Sequence, residues 1–170
     1  MELPKRKRNR LIGFDYSSNG AYYLTICVKE RRKLLAAINV GAHCVRPGLS
    51  DIGQVVENEI DILSNTYPGI YVDKFVIMPN HIHVVLVISG RAEWLLASAA
   101  SESGRTQCAP TVSRIIKQFK GAITKRIGHS IWQRSYYDHI IRNEADYLRA
   151  WQYIDENPAK WEEDEYFVRD

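Results

Sequence analysis

Short runs of apolar, aromatic and β-branched residues mark the parts of the chain that favour β-structure. The longest of these runs predict strands at residues 21–28, 70–77 and 82–88. A Met-Pro-Asn stretch at 78–80 joins the second run to the third, as expected for a tight connection between neighbouring strands. Shorter extended segments are predicted at 131–132 and 139–141.

Three other segments have apolar residues at helical spacing. The first begins at residue 50 or 51, where either side chain can cap it, and ends before the Tyr-Pro-Gly stretch at 67–69. The second covers residues 112–127 and carries a basic face opposite its apolar one. The last starts near Asn143, a good N-cap, and must end by Asn157 because a proline follows.

The resulting order is strand, helix, strand, strand, helix, strand, helix, which is typical of the α+β class. An antiparallel sheet with helices packed on one side is the economical arrangement for that order. A chain of 170 residues with 45% hydrophobic and 25% charged residues has the composition of one soluble globular domain over residues 1–170. Its longest apolar stretch, residues 84–88, is far short of the roughly 20 residues of a membrane helix. We therefore expect no membrane partner.

Two further features favour a cytoplasmic location. The basic N-terminal stretch lacks the apolar segment of a secretory signal. The three cysteines are an odd number and form no CxxC pair, which is typical of a reducing compartment.

Charge is unevenly distributed along the chain. Residues 143–170 hold nine acidic and three basic side chains, a net charge of −6. Because the whole chain has a net charge of +3, the first 142 residues carry +9. A basic body suggests a polyanion as partner, although a solvated surface would give the same counts. The acidic tail at 162–170 could cover a functional site or lie in solvent, and we expect it to lie in solvent.

Two loops, residues 39–48 and 97–110, lack any periodicity and are predicted to be insertions. One choice of codons for residues 42–47 reads, on the opposite strand, as the peptide at 104–109. We hypothesise that one repetitive DNA element entered two tolerant loops in opposite orientations. Coding DNA in which the two segments are not near reverse complements would exclude this origin.

The His-Ile-His stretch at 81–83 is the sharpest local feature. In a strand, alternate side chains share a face, so His81 and His83 project together while Ile82 faces the core. The pair could bind a divalent metal, or it could be two surface histidines on an edge strand. Tyr153 and Asn157, four residues apart, share a helix face, where Tyr153 could equally be a core aromatic.

The neighbouring Asp138 and His139 offer a further polar pair. His139 could join a metal site, or the two side chains could form a structural hydrogen bond.

Three ordered stretches resemble the REP-associated tyrosine transposases, relatives of the HUH nucleases with a single catalytic tyrosine. The resemblance covers most of residues 10–162 apart from the two loops. The early Tyr-Tyr-Leu-Thr-Ile-Cys segment at 22–27 also resembles the first strand of the family. Its motifs are FVIMPNHIHVVL at 75–86, IWQRSYYDHIIRN at 131–143 and DYLRAWQYIDENPAKW at 146–161.

This resemblance implies a ferredoxin-like antiparallel sheet, the HUH transposase fold, and metal-dependent cleavage and joining of single-stranded DNA beside a REP-like hairpin. It also implies that His81 and His83 bind the metal, that Tyr153 is the nucleophile and that Asn157 is the third ligand, where many mobile relatives have Gln. Mg²⁺ or Mn²⁺ is compatible with these ligands, whereas zinc would be expected from the two histidines alone. The resemblance leaves open whether the chain acts as a monomer or a homodimer.

Phosphate contacts to DNA are expected from basic side chains in four parts of the chain. They are Arg6, Lys7, Arg8, Arg10, Arg31, Arg32, Lys117, Lys120, Lys125 and Arg134. Trp132, Tyr136 and Tyr137 could stack on unpaired bases or pack in the core. Two alternatives to an enzyme remain: a catalytically silent hairpin-binding protein, and a small zinc protein unrelated to DNA.

Overall fold

A computed structural model of the chain describes residues 13–38, 47–89 and 111–169. The two predicted loop insertions lie largely outside this part of the chain, as do the basic residues of the first ten positions. The described strands are β1 (Gly20–Cys27), β2 (Ala36–Ala37), β3 (Gly48–Leu49), β4 (Ile70–Ile77), β5 (His81–Ile88) and β6 (Tyr137–Ile141). The described α-helices are α1 (Asp51–Thr66), α2 (Val112–Ile127) and α3 (Glu144–Glu156).

The helix boundaries follow from capping residues that the sequence displays. Ser50 begins α1 by accepting a hydrogen bond from the Gly53 amide, and Asn143 begins α3 by accepting one from the Asp146 amide. Gly128 ends α2 in the left-handed conformation, with φ of 81°, which glycine adopts without steric cost. The predicted helices are therefore confirmed to within one or two residues.

Four strands form an antiparallel sheet in the order β4-β5-β1-β6. With α1 between β1 and β4, and α2 between β5 and β6, this is the strand order of the ferredoxin-like fold. The predicted α+β class and the ferredoxin-like sheet are confirmed. Strands β2 and β3 form a separate two-stranded sheet.

The prediction that all helices pack on one side of the sheet is wrong. Helices α1 and α2 cover one face, where Val56, Ile115 and Ile123 pack against Leu24 and the other inward residues of the central strands. Helix α3 lies on the opposite face through Ile154, in a smaller cluster with residues of β4 and β5. The sheet is hydrophobic on both faces because its central strands carry apolar residues at consecutive positions.

This second face is where the functional candidates lie. It carries the odd-numbered residues of β5, and α3 and the segment that follows it cover them. None of the helices in the described part of the chain combines the length and apolarity needed to cross a bilayer.

Candidate metal and tyrosine site

His81 and His83 project from the same face of β5, as the two-residue period predicts, while Ile82 is buried in the main core. Their Nε2 atoms lie 2.9 Å apart. Strand β5 is flanked by β1 and β4, and both imidazoles are at most 1% exposed. The alternative of two surface histidines on an edge strand is therefore wrong.

The hydrogen bonds around Asn80 fix the tautomer of His81. The amide nitrogen of Asn80 donates to the carbonyls of Arg31 and Tyr166, at 3.1 and 2.8 Å, so its oxygen faces His81 Nδ1 at 2.9 Å. His81 Nδ1 must then carry the proton, which leaves the lone pair on Nε2. This is the tautomer a metal ligand needs, held by an outer hydrogen bond as in known metal sites.

His83 is held by two hydroxyl groups of the neighbouring strand. Tyr23 Oη lies 2.7 Å from His83 Nδ1 and Thr25 Oγ1 lies 3.0 Å from it. The Tyr23 ring also stacks on the imidazole, with centroids 5.4 Å apart. The sequence pattern did not single out these two residues, although their alternation along β1 places them on the same face as each other.

Asp164 is the functional candidate that sequence reasoning missed. Its side chain is fully buried, although part of its backbone is exposed, and Oδ2 lies 4.0 Å from His81 Nε2. The ligand atoms of His81, His83 and Asp164 all lie within 4.8 Å of one another, so this group could hold a metal ion. The expectation that the acidic tail lies in solvent is thus wrong for Asp164, although Glu162, Glu163 and Glu165 are exposed.

Aromatic packing carries Asp164 into the site. Trp161 and Tyr166, on either side of the acidic run, are buried and stack near His81 at centroid distances of 6.0 and 4.6 Å. The Tyr166 amide donates to Asp164 Oδ1 at 2.7 Å. The aromatic residues that flank the acidic run in the sequence were the available signal that the run folds back onto the protein.

Tyr153 and Asn157 reach the same place from α3 and its C-terminus. The Tyr153 hydroxyl donates to Asp164 Oδ2 at 3.2 Å, and its ring lies 5.2 Å from that of His83. Tyr153 is 43% exposed, so it is not a core aromatic. Asn157 is buried and donates from Nδ2 to Asp164 Oδ2 at 2.8 Å, while its Oδ1 has no hydrogen-bond partner among the described residues.

The donor set fits a hard divalent cation. It offers the Nε2 lone pair of His81, a second imidazole, the Asp164 carboxylate and the unpartnered amide oxygen of Asn157. A buried oxygen without a partner costs free energy unless something binds it, and a cation would satisfy this one. Mixed imidazole, carboxylate and amide ligands suit Mn²⁺ and also accommodate Mg²⁺.

Burial controls protonation in this site. Burial, assisted by the Arg31 charge, lowers the pKa of His81 to about 3, and burial lowers the pKa of His83 well below its ordinary value. Both imidazoles are therefore neutral at physiological pH and available as ligands. Burial and the adjacent Asp164 carboxylate raise the pKa of Tyr153 to about 12, so its phenol is protonated until something accepts its proton.

His139 forms its hydrogen bond with Asp146, a residue that sequence reasoning did not pair with it. Its Nε2 lies 2.8 Å from Oδ2 of Asp146, in the first turn of α3. The Arg142 amide also donates to this oxygen, and Arg149 lies 3.4 Å from the other one. The hydrogen bond from His139 is the main reason that the pKa of Asp146 lies below its usual range.

The predicted DNA-binding side chains divide into three groups. Arg32, Lys117, Lys125 and Arg134 are exposed. Arg31 instead donates to the Glu165 carbonyl at 2.8 Å, and Lys120 donates to the carbonyls of Gln133 and Ser135, so both brace the backbone. The remaining four, Arg6, Lys7, Arg8 and Arg10, lie outside the described residues.

The three aromatic residues near β6 also differ in burial. Trp132 and Tyr136 are buried in the main core, so they pack beneath the sheet and do not present a stacking surface. Tyr137 is 47% exposed and remains available to a base.

Comparison with known proteins adds two sequence relatives and one structure. No protein-family model matches the chain. A Haemophilus influenzae protein of uncharacterised function is 32% identical over 174 residues, covering 96% of this chain and 93% of that protein. A second H. influenzae protein, whose name assigns it provisionally to the REP-associated tyrosine transposases, is 25% identical over 146 residues, covering 86% of this chain and 74% of that protein. A solved REP-associated tyrosine transposase bound to a REP hairpin matches with a TM-score of 0.60 and 21% identity, over 89% of this chain and 74% of that one.

Proposed function

We propose that the chain is a REP-associated tyrosine transposase, like the 25% identical relative and the solved structure of the same fold, and that it cleaves and rejoins single-stranded DNA next to a REP-like hairpin. The observation that carries the proposal is the convergence of Tyr153, His81 and His83 at one point, within one chain. A family member solved with a REP hairpin supports a hairpin as the DNA partner.

In this proposal Tyr153 is the nucleophile. Its Oη attacks the phosphorus of the scissile phosphodiester, and a P–Oη bond forms as the P–O3′ bond breaks. The products are a 5′-phosphotyrosine and a free 3′-hydroxyl, and the reverse reaction with another 3′-hydroxyl rejoins DNA. The 3′-oxygen takes up a proton as it leaves.

The raised pKa of Tyr153, about 12, means that the phenol must lose its proton during the attack. Asp164 Oδ2 accepts the phenol hydrogen bond at 3.2 Å and is the proton acceptor in the proposed step. Asp164 also accepts a hydrogen bond from the Asn157 amide nitrogen, so the orientation of its carboxylate is fixed before DNA binds.

His81, His83, Asn157 and Asp164 would hold Mg²⁺ or Mn²⁺. When bound, such an ion would neutralise charge on the non-bridging oxygens of the scissile phosphate. Asn80, Tyr23 and Thr25 hold the two imidazoles in the orientation that this requires. The buried oxygen of Asn157, which has no partner among the described residues, supports the ligand role that the family resemblance implies.

The test is formation of a covalent protein–DNA adduct. The full chain is incubated with Mn²⁺ and a 3′-labelled oligonucleotide that carries a REP-like hairpin and a single-stranded flank, and the products are separated under denaturing conditions. We expect a labelled band at protein mass, lost with EDTA and in Tyr153→Phe. Tyr137→Phe, another exposed tyrosine, should retain it.

Two results would contradict the proposal. Hairpin binding without any adduct in Mn²⁺ or Mg²⁺ would favour a catalytically silent binding protein. An adduct that persists in Tyr153→Phe would show that another residue is the nucleophile.

A further inference from the structure

Two cavities adjoin Tyr153, and they share Glu165 but differ in the number of carboxylates. The first, which we call the β6 cavity, has a volume of about 330 Å³, and its lining is Tyr23, His83, His139, Asp146, Arg149, Ala150, Tyr153 and Glu165. The second, the C-terminal cavity, has a volume of about 370 Å³. A DNA strand attacked by Tyr153 must continue away from the hydroxyl, so the two cavities are its candidate paths.

The β6 cavity is built by strand register and helix period. His139 on β6 is the direct cross-strand partner of Tyr23 on β1, so both side chains lie on the sheet face that carries His83. On α3, Asp146, Arg149 and Tyr153 follow at i, i+3 and i+7 and share one helix face. The cavity therefore runs along about two turns of α3, or roughly 10 Å.

The polar end of the β6 cavity is preorganised. Asp146 accepts hydrogen bonds from the Arg142 amide and from His139, which leaves His139 Nδ1 as an acceptor without a partner in the described part of the chain. Arg149 is 70% exposed and contacts Asp146 only at 3.4 Å, so most of its guanidinium donors are available. The Tyr23 and Tyr153 rings, which meet edge to face with centroids 6.1 Å apart, add aromatic surface against which a base can stack.

The C-terminal cavity is unsuited to a phosphate backbone. Four carboxylates line it, those of Glu156, Glu163, Asp164 and Glu165. Its lysine, Lys160, is paired with Glu156 at 2.6 Å. The β6 cavity has two carboxylates, of Asp146 and Glu165, beside the exposed Arg149, so a polyanion meets the stronger negative surface in the C-terminal cavity.

We propose that the β6 cavity is the binding site for the nucleotide that adjoins the scissile phosphate, with Arg149 on its phosphate and His139 hydrogen-bonded to its polar edge. The assignment rests on the proposed function. A volume of about 330 Å³ lies at the small end of ligand pockets, so it suits one nucleotide and not a longer segment. The strand then runs over α3 toward β6 and away from the acidic C-terminal cavity.

Affinity measurements test the phosphate contact. Tyr153→Phe protein, which cannot cleave, is titrated with the fluorescent hairpin oligonucleotide with and without Arg149→Gln. We expect about tenfold weaker binding with Arg149→Gln, and a logarithmic salt slope smaller by about 0.7, the share of one phosphate contact on single-stranded DNA. The matched control is Lys160→Gln, which removes the cation of the other cavity and should change neither value.

Photocrosslinking locates the nucleotide. A photoreactive uracil is placed in turn on each side of the cleaved bond, and the crosslinked peptides are sequenced. One of the two positions should crosslink to Tyr23 or to residues 137–150. Crosslinks confined to residues 156–165, or an Arg149→Gln affinity equal to that of the parent while Lys160→Gln weakens binding, would overturn the assignment of the cavity. Failure of the proposed function is distinct, since it would appear as absence of the adduct in the wild-type chain.

Discussion

Asp73 fixes the position of α3, the helix that carries Tyr153. Replacing Asp73 should therefore slow the proposed reaction although Asp73 contacts none of the proposed metal ligands. Asp73 is the extra residue of a β-bulge in β4, where the pairing with β5 shifts between Val72 and Lys74. Its Oδ2 accepts hydrogen bonds from the Tyr147 hydroxyl and from Trp151 Nε1, the latter at 2.7 Å. These two donors are about one turn apart on α3, so a single carboxylate holds the N-terminal half of the helix.

The apolar packing of α3 is too thin to replace that carboxylate. Ile154 is the one residue of α3 that is fully buried, and Leu148 is 57% exposed. A hydrogen bond to a charged group contributes about 1.5–3 kcal/mol, and these two are half-buried, so the lower end applies. Asp73→Ala should therefore cost about 3 kcal/mol of α3 docking. Asp73→Asn, which keeps a neutral acceptor, should cost about half as much.

The consequence for chemistry follows from geometry. Displacement of a reacting group by about 1 Å costs on the order of 100-fold in rate, and Tyr153 lies one and a half turns beyond Tyr147 on the loosened helix. We expect the adduct to form about 100-fold more slowly in Asp73→Ala, while hairpin affinity falls by no more than the roughly tenfold assigned to Arg149, which lies on the same helix. Hydrogen exchange should rise in residues 144–156 and stay unchanged in α1 and α2.

Controls separate positioning from general destabilisation. Asp61→Ala removes an exposed carboxylate from α1 and should alter neither adduct rate nor exchange. Trp151→Phe should cost less in the Asp73→Ala background than in the wild type, because the two residues share one hydrogen bond. Wild-type protection of α3 together with a wild-type adduct rate in Asp73→Ala would refute this account.

Two further expectations concern stability. The pKa of buried His81 is lowered to about 3, so between about pH 6.5 and 3 the unfolded chain binds a proton that the folded metal-free chain excludes. Urea unfolding should therefore show the free energy of unfolding falling, as the pH is lowered through this range, by about 1.4 kcal/mol per pH unit for each such histidine. The fall should be shallower in His81→Gln, and equal slopes in the two proteins would contradict the prediction. A β-carbon on Gly53 would clash with the Leu35 carbonyl oxygen, so Gly53→Ala should lower the free energy of unfolding by about 2 kcal/mol or more. Gly121→Ala, with open space at its β-carbon, should be neutral or stabilising by up to about 1 kcal/mol, and similar thermal shifts in both variants would argue against the steric cause.

Local signals explain why so much of the fold could be predicted. The caps Ser50 and Asn143, together with the helix-ending Pro158, act within a few residues of the boundaries that they set. The period of two in β5 likewise needs no tertiary information to put His81 and His83 on one face. Element type and boundary were therefore accessible from the chain itself.

Strand order and helix side are set by contacts between distant segments, and the sequence offered no local signal for them. That β5 is central depends on β1 pairing with it across some 60 residues. That α3 crosses to the second face depends on Asp73, a bulge residue whose partners lie 74 and 78 positions away. Buried histidines and a helix on each side of the sheet follow from these pairings, and both were missed.

The acidic C-terminal segment shows how a charge count can mislead and still be informative. The sequence-level expectation treated its carboxylates as one solvated group, but the burial of Trp161 and Tyr166 separates them. Asp164 turns inward to accept from Tyr153, Asn157 and the Tyr166 amide, whereas the neighbouring glutamates remain exposed. Glu156 and Glu163 line the C-terminal cavity and not the β6 cavity, while Glu165 lines both, so the carboxylates are concentrated on one side of Tyr153 and repel a phosphate backbone more strongly there. The net −6 of residues 143–170 is therefore compatible with the proposed DNA binding, because its uneven distribution around Tyr153 would direct the strand toward Arg149 and His139.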